Sequence, residues 1–398
     1  MIRHLCRLAW NCRGGYLLLG LEMLIAFLII VVVATLALNN LSGFYQPLGF
    51  DYQDVWWVSL HPRSLARHQN SAADVVAMQE VERILQELEA VEAVAIDGAP
   101  PFSRSYSTRV GEYGGVRIFF EYSNVTDRLD EVLKLNLVAG RWFSEEDDGL
   151  AWEPVVITWK LARTFFGDAD PLGKIITLPT SNANEMLRVV GVVDHRRYKS
   201  PFATEEPFLY GRVSWDRVDY VPRSFLVRLR PGTPRNFEKQ IKKALSPVTR
   251  SWNLGVERLE EGREMSMRED IKLLIIGGTI AGLMLAMVAL GLVGVLWQNV
   301  TQRTREIGVR RASGATRGRI CAQFVGEVMV VATFAAVLGG MLIVQFAFFD
   351  LFPSVVPEVY IAGFLCAAGI LYLLVSVAAL YPGWLASRVQ PVEALHYE

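Results

Sequence analysis

Four long apolar runs decide what this chain can fold into: Tyr16–Leu38, Leu273–Trp297, about Cys321–Phe349, and Ile361–Leu380. About 20 mostly apolar residues suffice to cross a bilayer as a helix. Inside lipid, backbone groups must find their partners within the segment, so each run is expected to be a membrane-spanning helix. The second and fourth runs carry no charge, whereas the first contains Glu22 and the third Glu327 and Gln345. The first run follows a basic start (Arg3, Arg7, Arg13), as a secretory signal would. Its apolar core is too long for a signal and no small-x-small cleavage site follows Leu38, so it is expected to remain as an anchor.

Between the second and third runs lies Thr301–Ile320, TQRTREIGVRRASGATRGRI, with six arginines (303, 305, 310, 311, 317, 319) and one acid, Glu306. The link Asp350–Glu358 between the last two runs has no Lys or Arg. Basic short loops stay on the cytoplasmic side. Both termini and the 301–320 loop are therefore expected in the cytoplasm, and residues 40–271 outside. The loop has helix-forming residues and a Gly-Ala-Thr turn but nothing that looks catalytic, so it is expected to dock on another protein. Arg303, Arg305, Glu306, Ile307, Gly308, Val309, Arg310, Arg311, Gly314 and Ala315 are its candidate contact residues, the charges for pairing and Ile307 and Val309 for apolar contact.

The expected fold is an α/β membrane protein: four transmembrane helices plus a large α+β periplasmic domain between the first and second. Strands are expected at Asp54–Leu60, Val91–Ile96, Val116–Tyr122, Ser224–Leu229 and Trp252–Leu259. Amphipathic helices are expected at Ser71–Ala90 and Pro234–Leu245, the second capped by Thr233. The two β-α-β units form a sandwich. A subdomain at about 124–215 is inserted into it, with strands at Val155–Thr158, Ile175–Leu178 and Leu187–Val193 and a helix at Leu161–Phe166. Glu260–Lys272 reads as a helical stalk continuing into the second span. The divisions are a cytoplasmic N-terminus (1–15), span one (16–38), the periplasmic core domain (39–262), stalk and span two (263–298), and the cytoplasmic loop (299–320). Span three (321–349), a short periplasmic loop (350–359), span four (360–382) and a cytoplasmic tail (383–398) complete the chain.

Four cysteines, Cys6, Cys12, Cys321 and Cys366, all lie outside the exported domain, which is expected to fold without disulfides. Gly167–Lys174 (GDADPLGK) imitates a phosphate loop, but five residues separate its glycines and Ile175 stands where a Ser or Thr would hold magnesium. It reads as a turn into a strand. No catalytic residues stand out, and the scattered histidines form no metal site. Asp194-His195-Arg196-Arg197 reads as a solvated loop. Asn124-Val125-Thr126 matches a glycosylation acceptor, without meaning in a bacterium. Glu22 and Glu327 are ionisable groups in spans and hence functional candidates. Gly278, Gly282 and Ala286 place small residues on one face of span two, a candidate dimer-packing stripe.

TREIGVRRASGATRGRI resembles the arginine-rich coupling loop of FtsX-type (type VII) ABC permeases, and YPGWLASRVQPVEALHYE resembles that family's ending. VAGRWFSEEDDG, PVVITWKLARTFFGDADPLGK and VVGVVDHRR resemble the periplasmic core domain of its MacB branch. The resemblance implies a permease dimer, with a second identical or paralogous copy, driven by two cytoplasmic ABC ATPase subunits. ATP and magnesium would sit on those subunits, leaving this chain without a cofactor or enzymatic activity of its own. It implies mechanotransmission: ATPase closure moves the loop, the stalk carries the motion, and the outside domain drives periplasmic cargo. In tripartite efflux systems a periplasmic adaptor and an outer-membrane channel join in. The expected location is the bacterial inner membrane, in contact with lipid and not with nucleic acid. Lipoprotein sorting or cell-wall-hydrolase regulation within the same family, or a non-transport membrane sensor, are the alternatives.

Overall fold

The computed structural model describes residues 13–63, 72–103, 105, 107–150, 152–179, 184–213, 215, 223–302, 304, 307, 309–310, 313, 315–348 and 357–387. Two compact units result: Met1–Ser42 with Asp270–Glu398, and Gly43–Glu269. In chain order the elements begin with α1 (Arg13–Phe44), β1 (Val55–Pro62), α2 (Ala72–Gln86), β2 (Val91–Ile96), β3 (Ser107–Tyr113), β4 (Val116–Val125) and α3 (Leu129–Leu133). Then follow β5 (Leu137–Gly140), β6 (Glu153–Thr158), α4 (Trp159–Phe166), β7 (Ile175–Pro179), β8 (Asn184–Val193) and β9 (Phe208–Arg212). β10 (Ser224–Leu229), α5 (Phe237–Leu245), β11 (Trp252–Arg258), α6 (Leu259–Gln302), α7 (Arg317–Phe348) and α8 (Pro357–Ser387) complete the order.

In Gly43–Glu269, four strands form one antiparallel sheet in the order β11-β1-β10-β2. Each β-α-β unit is thus split, its two strands separated by a strand of the other unit. β1 is buried along most of its length because both faces are covered. Alternate side chains point to opposite faces of a strand. Trp56, Val58 and Leu60 accordingly meet α2 and α5, through Val75, Met78, Val81 and Leu85 of the first and Phe237, Ile241 and Leu245 of the second. Burying each such side chain stabilises by about 1.5–3 kcal/mol. Val55, Ala93, Ala95 and Leu226 point the other way, into a core shared with Phe102, Val125, Trp142, Phe208 and Tyr210.

The second sheet has the order β5-β8-β6-β9-β4-β3-β7, and β7 pairs with β8 again, so the strands close into a ring. Closure removes free edges that would otherwise template aggregation. Phe120, Ile157, Ile176, Leu178, Val189 and Leu209 share its core with Leu161, Phe165 and Phe166 of α4. Thr158 caps α4 by accepting from the Leu161 N–H at 3.4 Å. β3 and β4 join through Gly114-Gly115, both at positive φ, as a tight hairpin turn of this type requires.

Three readings change. The inserted sheet takes in β3 and β4, so it begins before residue 124: the Gly-Gly turn pairs β3 with β4 inside the ring. Thr233 is not the cap of α5. Its hydroxyl donates to the Arg230 carbonyl at 2.6 Å, and the helix opens after Asn236. Arg196 and Arg197 are not solvated: they are 1% and 2% exposed, held by the bonds described below.

On α2, burial pushes the Glu82 carboxyl up to about 7, with Asp127 adding to the rise and Arg128 opposing it. A carboxyl raised by folding contributes stability that is fully present below its unfolded value and is lost as pH climbs through the folded one. Glu82→Gln is therefore expected to flatten the fall in melting temperature between about pH 5 and 8. Parallel melts of the two proteins across that range check it; identical slopes would contradict it.

Candidate coupling loop and buried charges

Among the described residues, four helices are long and apolar enough to cross a membrane: Leu17–Phe44, Leu259–Gln302, Gly318–Gln345 and Pro357–Leu380. In the unit they form, α1 supplies Leu19, Met23, Phe27 and Ile30 to a core with Val288, Leu292 and Leu296 of α6, Phe324, Val328 and Ala335 of α7, and Ala367, Leu371 and Val375 of α8. Gly339 of α7 makes room for the Phe27 ring, where even a methyl group would sit 2.6 Å from it. Phe27 also meets Phe364 of α8 edge-on, with centroids 5.4 Å apart.

The basic loop is described in part. Arg303, Arg305, Glu306, Gly308, Arg311 and Gly314 lie outside the described residues. Ile307, Val309 and Arg310 have helical backbone. The Ser313 N–H donates to the Val309 carbonyl at 3.0 Å, and the Ala315 N–H to that of Arg310 at 3.0 Å. Val309 and Arg310 are exposed and Ala315 half-buried, but Ile307 is 3% exposed and belongs to the membrane-unit core. Ile307 is therefore an internal anchor and offers no apolar contact to a partner. Residues two apart on a helix lie about 200° apart around its axis, so burying Ile307 turns Val309 outward.

Glu327 is 1% exposed on α7. The Gln323 amide Nε2 donates to its Oε1 at 3.2 Å, and the Gln323 Oε1 accepts from Arg310 Nη1 at 2.9 Å. Glu22 of α1 lies against α6, its Oε2 2.9 Å from where a side chain on Gly291 would begin. Gly278, Gly282 and Ala286 form an exposed stripe on α6, and nothing lies within 4 Å of where a methyl group would stand on either glycine. The adjacent Gly277 faces Val33 of α1 instead.

Among the described residues of the other unit, the largest fully buried side chain is a charged one, Arg196. Its Nη2 donates to Asp97 Oδ2 at 3.0 Å and to the Ala99 carbonyl at 2.7 Å. Its guanidinium lies 4.0 Å from the Phe208 ring centroid, 4.7 Å from that of Tyr210 and 5.0 Å from that of Tyr198. Desolvated cation–π contacts of this kind contribute about 2 kcal/mol. The other Asp97 oxygen accepts from the Ala99 N–H at 2.9 Å and the Ser123 hydroxyl at 2.6 Å. Beside this cluster, burial and then the Glu121 carboxylate, to which it donates, push the Tyr198 phenol well above its usual range. Arg197 donates to three carbonyls, Gln46 and Ala203 at 2.9 Å and Pro201 at 2.6 Å. It thereby ties the chain leaving α1 to the loop after β8. Sequence reasoning missed Asp97 and Gln323; only Gln323 carried a signal, four residues before Glu327.

Four spanning helices and a large two-sheet domain define a multi-pass membrane protein. Residues 19–244 match the family model for the MacB-like periplasmic core domain, and residues 278–391 that for the FtsX-like permease C-terminal region. The first match spans more than half of the chain, which therefore belongs to the MacB-like family of ABC transporter permeases, inner-membrane proteins with a periplasmic domain. The macrolide export ATP-binding/permease protein MacB of Bdellovibrio bacteriovorus is 28% identical over 281 residues, 66% of this chain and 41% of that protein. The chain thus spans less than half the length of that relative. The ABC transporter permease YknZ of Bacillus subtilis is 26% identical over 296 residues, 69% of this chain and 70% of that one. The crystal structure of the periplasmic region of MacB from Actinobacillus actinomycetemcomitans aligns with 56% of this chain and 96% of its own, at 15% identity and a TM-score of 0.41.

Proposed function

We propose that this chain is the permease subunit of a MacB-like exporter that works by mechanotransmission. A separate cytoplasmic ABC ATPase dimer, carrying ATP and magnesium, engages the basic loop. Its motion passes along α6 to the periplasmic domain, which drives cargo already in the periplasm. The stripe Gly278, Gly282 and Ala286 packs against a second permease copy, identical or paralogous. A periplasmic adaptor and an outer-membrane channel complete an efflux route. The observation that carries this reading is α6: one unbroken helix, Leu259–Gln302, starting at the residue after β11 and running to the basic loop. The root of the helix is set in the domain: Leu259 is 1% exposed in the shared core, and the Arg263 guanidinium lies 5.1 Å from the Tyr52 ring centroid.

Arg310→Glu with Arg311→Glu tests the docking step. Like charges brought together at an interface cost several kcal/mol, so stimulation of the partner ATPase is expected to fall by about tenfold or more. The protein should still insert and fold. Normal pull-down of the ATPase together with normal transport would defeat this reading.

A further inference from the structure

A carboxylate buried among apolar side chains is costly unless something offsets it. Glu327 sits beside Val328 and one turn from Phe324, both in the membrane-unit core. Gln323, four residues before it, lies on the same helix face. A side-chain amide carries a donor and an acceptor on one planar group, so it can join a carboxylate to a guanidinium with both bonds made. Gln323 does so here, giving its N–H to Glu327 and its carbonyl oxygen to Arg310. The three residues run from the interior of α7 to the exposed face of the basic loop.

We propose that Glu327 is a positioning residue which, through Gln323, holds Arg310 and its segment of the basic loop against α7. What this does for transport rests on the docking reading of that loop. The carboxylate orients the amide, and the amide presents only its oxygen to Arg310. The loop is then set before any partner arrives, and a partner meets one arrangement of Val309 and Arg310 rather than many.

The test uses the full chain in phosphatidylethanolamine/phosphatidylglycerol nanodiscs, with no ATPase present. Cys6, Cys12, Cys321 and Cys366 are replaced by serine and a nitroxide is attached through Ser313→Cys. One hydrogen bond of ordinary net strength shifts a two-state population by about two- to tenfold. Gln323→Leu, Glu327→Gln and Arg310→Ala are each expected to raise the mobile fraction of the label by that factor. The double variant Gln323→Leu/Arg310→Ala should move no further than Arg310→Ala alone, because the bond that Gln323→Leu removes is already lost there. The exchange Gln323→Glu with Glu327→Gln should restore the wild-type spectrum, since the carboxylate then faces Arg310 directly; a merely structural carboxylate would not be rescued in this way. Should Glu327→Gln fail to fold, Gln323→Leu and the exchange still decide. Unchanged mobility in Gln323→Leu, additive effects, or no rescue would overturn the proposal. If the spectra behave as expected while charge reversal at Arg310 and Arg311 leaves ATPase stimulation intact, the positioning stands and only the docking reading falls.

Discussion

Asp97→Ala is expected to destabilise the Gly43–Glu269 unit by about 3–5 kcal/mol, the cost of leaving one member of a buried ion pair without its partner. Asp97 is fully buried and accepts from Arg196, the Ser123 hydroxyl and the Ala99 N–H. Alanine removes this acceptor from all three at once, leaving Arg196 Nη2 only the Ala99 carbonyl and the Ala99 N–H only the Ser123 hydroxyl. The rings of Phe208, Tyr210 and Tyr198 around the guanidinium keep water from replacing the lost acceptor. A domain has only about 5–15 kcal/mol of net stability, so the loss should be visible as a large drop in urea midpoint. Asp97→Leu with Arg196→Met should cost much less than Asp97→Ala, because no charge is left behind. Equilibrium unfolding of the separately expressed segment decides between them. A cost for Asp97→Ala below about 1 kcal/mol would mean that the pair is not tightly desolvated.

A Gly-Ser pair inserted after Arg263 is expected to abolish transport while sparing ATP hydrolysis. α6 has 44 residues, roughly 66 Å at 1.5 Å per residue. As a lever it works only while its hydrogen-bond ladder is continuous. Two inserted residues turn every later side chain by about 200°, and glycine loosens the backbone where the motion must pass. Thr279 and Thr301 show the ladder itself serving as acceptor, each hydroxyl donating to the carbonyl four residues back. The same pair inserted between Gly114 and Gly115, an open hairpin turn, is the control and should leave transport intact. Both rates are to be measured in vesicles holding the permease and its ATPase. Unimpaired transport in the Arg263 variant would show that the helix does not carry the motion.

Much of this architecture was legible in the residues, for identifiable reasons. Short runs dominated by apolar, β-branched residues stood out even where both faces are buried: β2 and β10 were expected at the bounds observed, Val91–Ile96 and Ser224–Leu229. β3, β5 and β9 were not foreseen. β3 (STRVGEY) is polar with a single buried residue, β5 (LVAG) is four residues long, and β9 (FLYGR) is a five-residue run broken by Gly211. Arg196 was misread because its partner Asp97 is 99 residues away, and nothing near DHRR signals a buried acid or an aromatic enclosure. Ile307 was misassigned because a short basic loop leaves too few residues to show which helical face turns inward.

The ring of strands interrupts a sheet whose first two strands meet only through a strand made after it. Trp57 of β1 bonds Ser224 at the start of β10, 167 residues later, and β10 lies between β1 and β2. As the chain leaves the ribosome, β1, α2 and β2 emerge with no strand to join them. The inserted strands from β3 to β9 have their partners within their own stretch of sequence. The chain enters and leaves this insertion at one place: just after β2 the Asp97 N–H donates to the Ser224 carbonyl at the start of β10, at 3.2 Å. Forming it first brings β10 beside β2 and shortens a closure that would otherwise span more than a hundred residues. Synthesis therefore delivers the two parts of the first sheet on either side of the ring, and the younger half of the chain completes the older half only after the middle has been made.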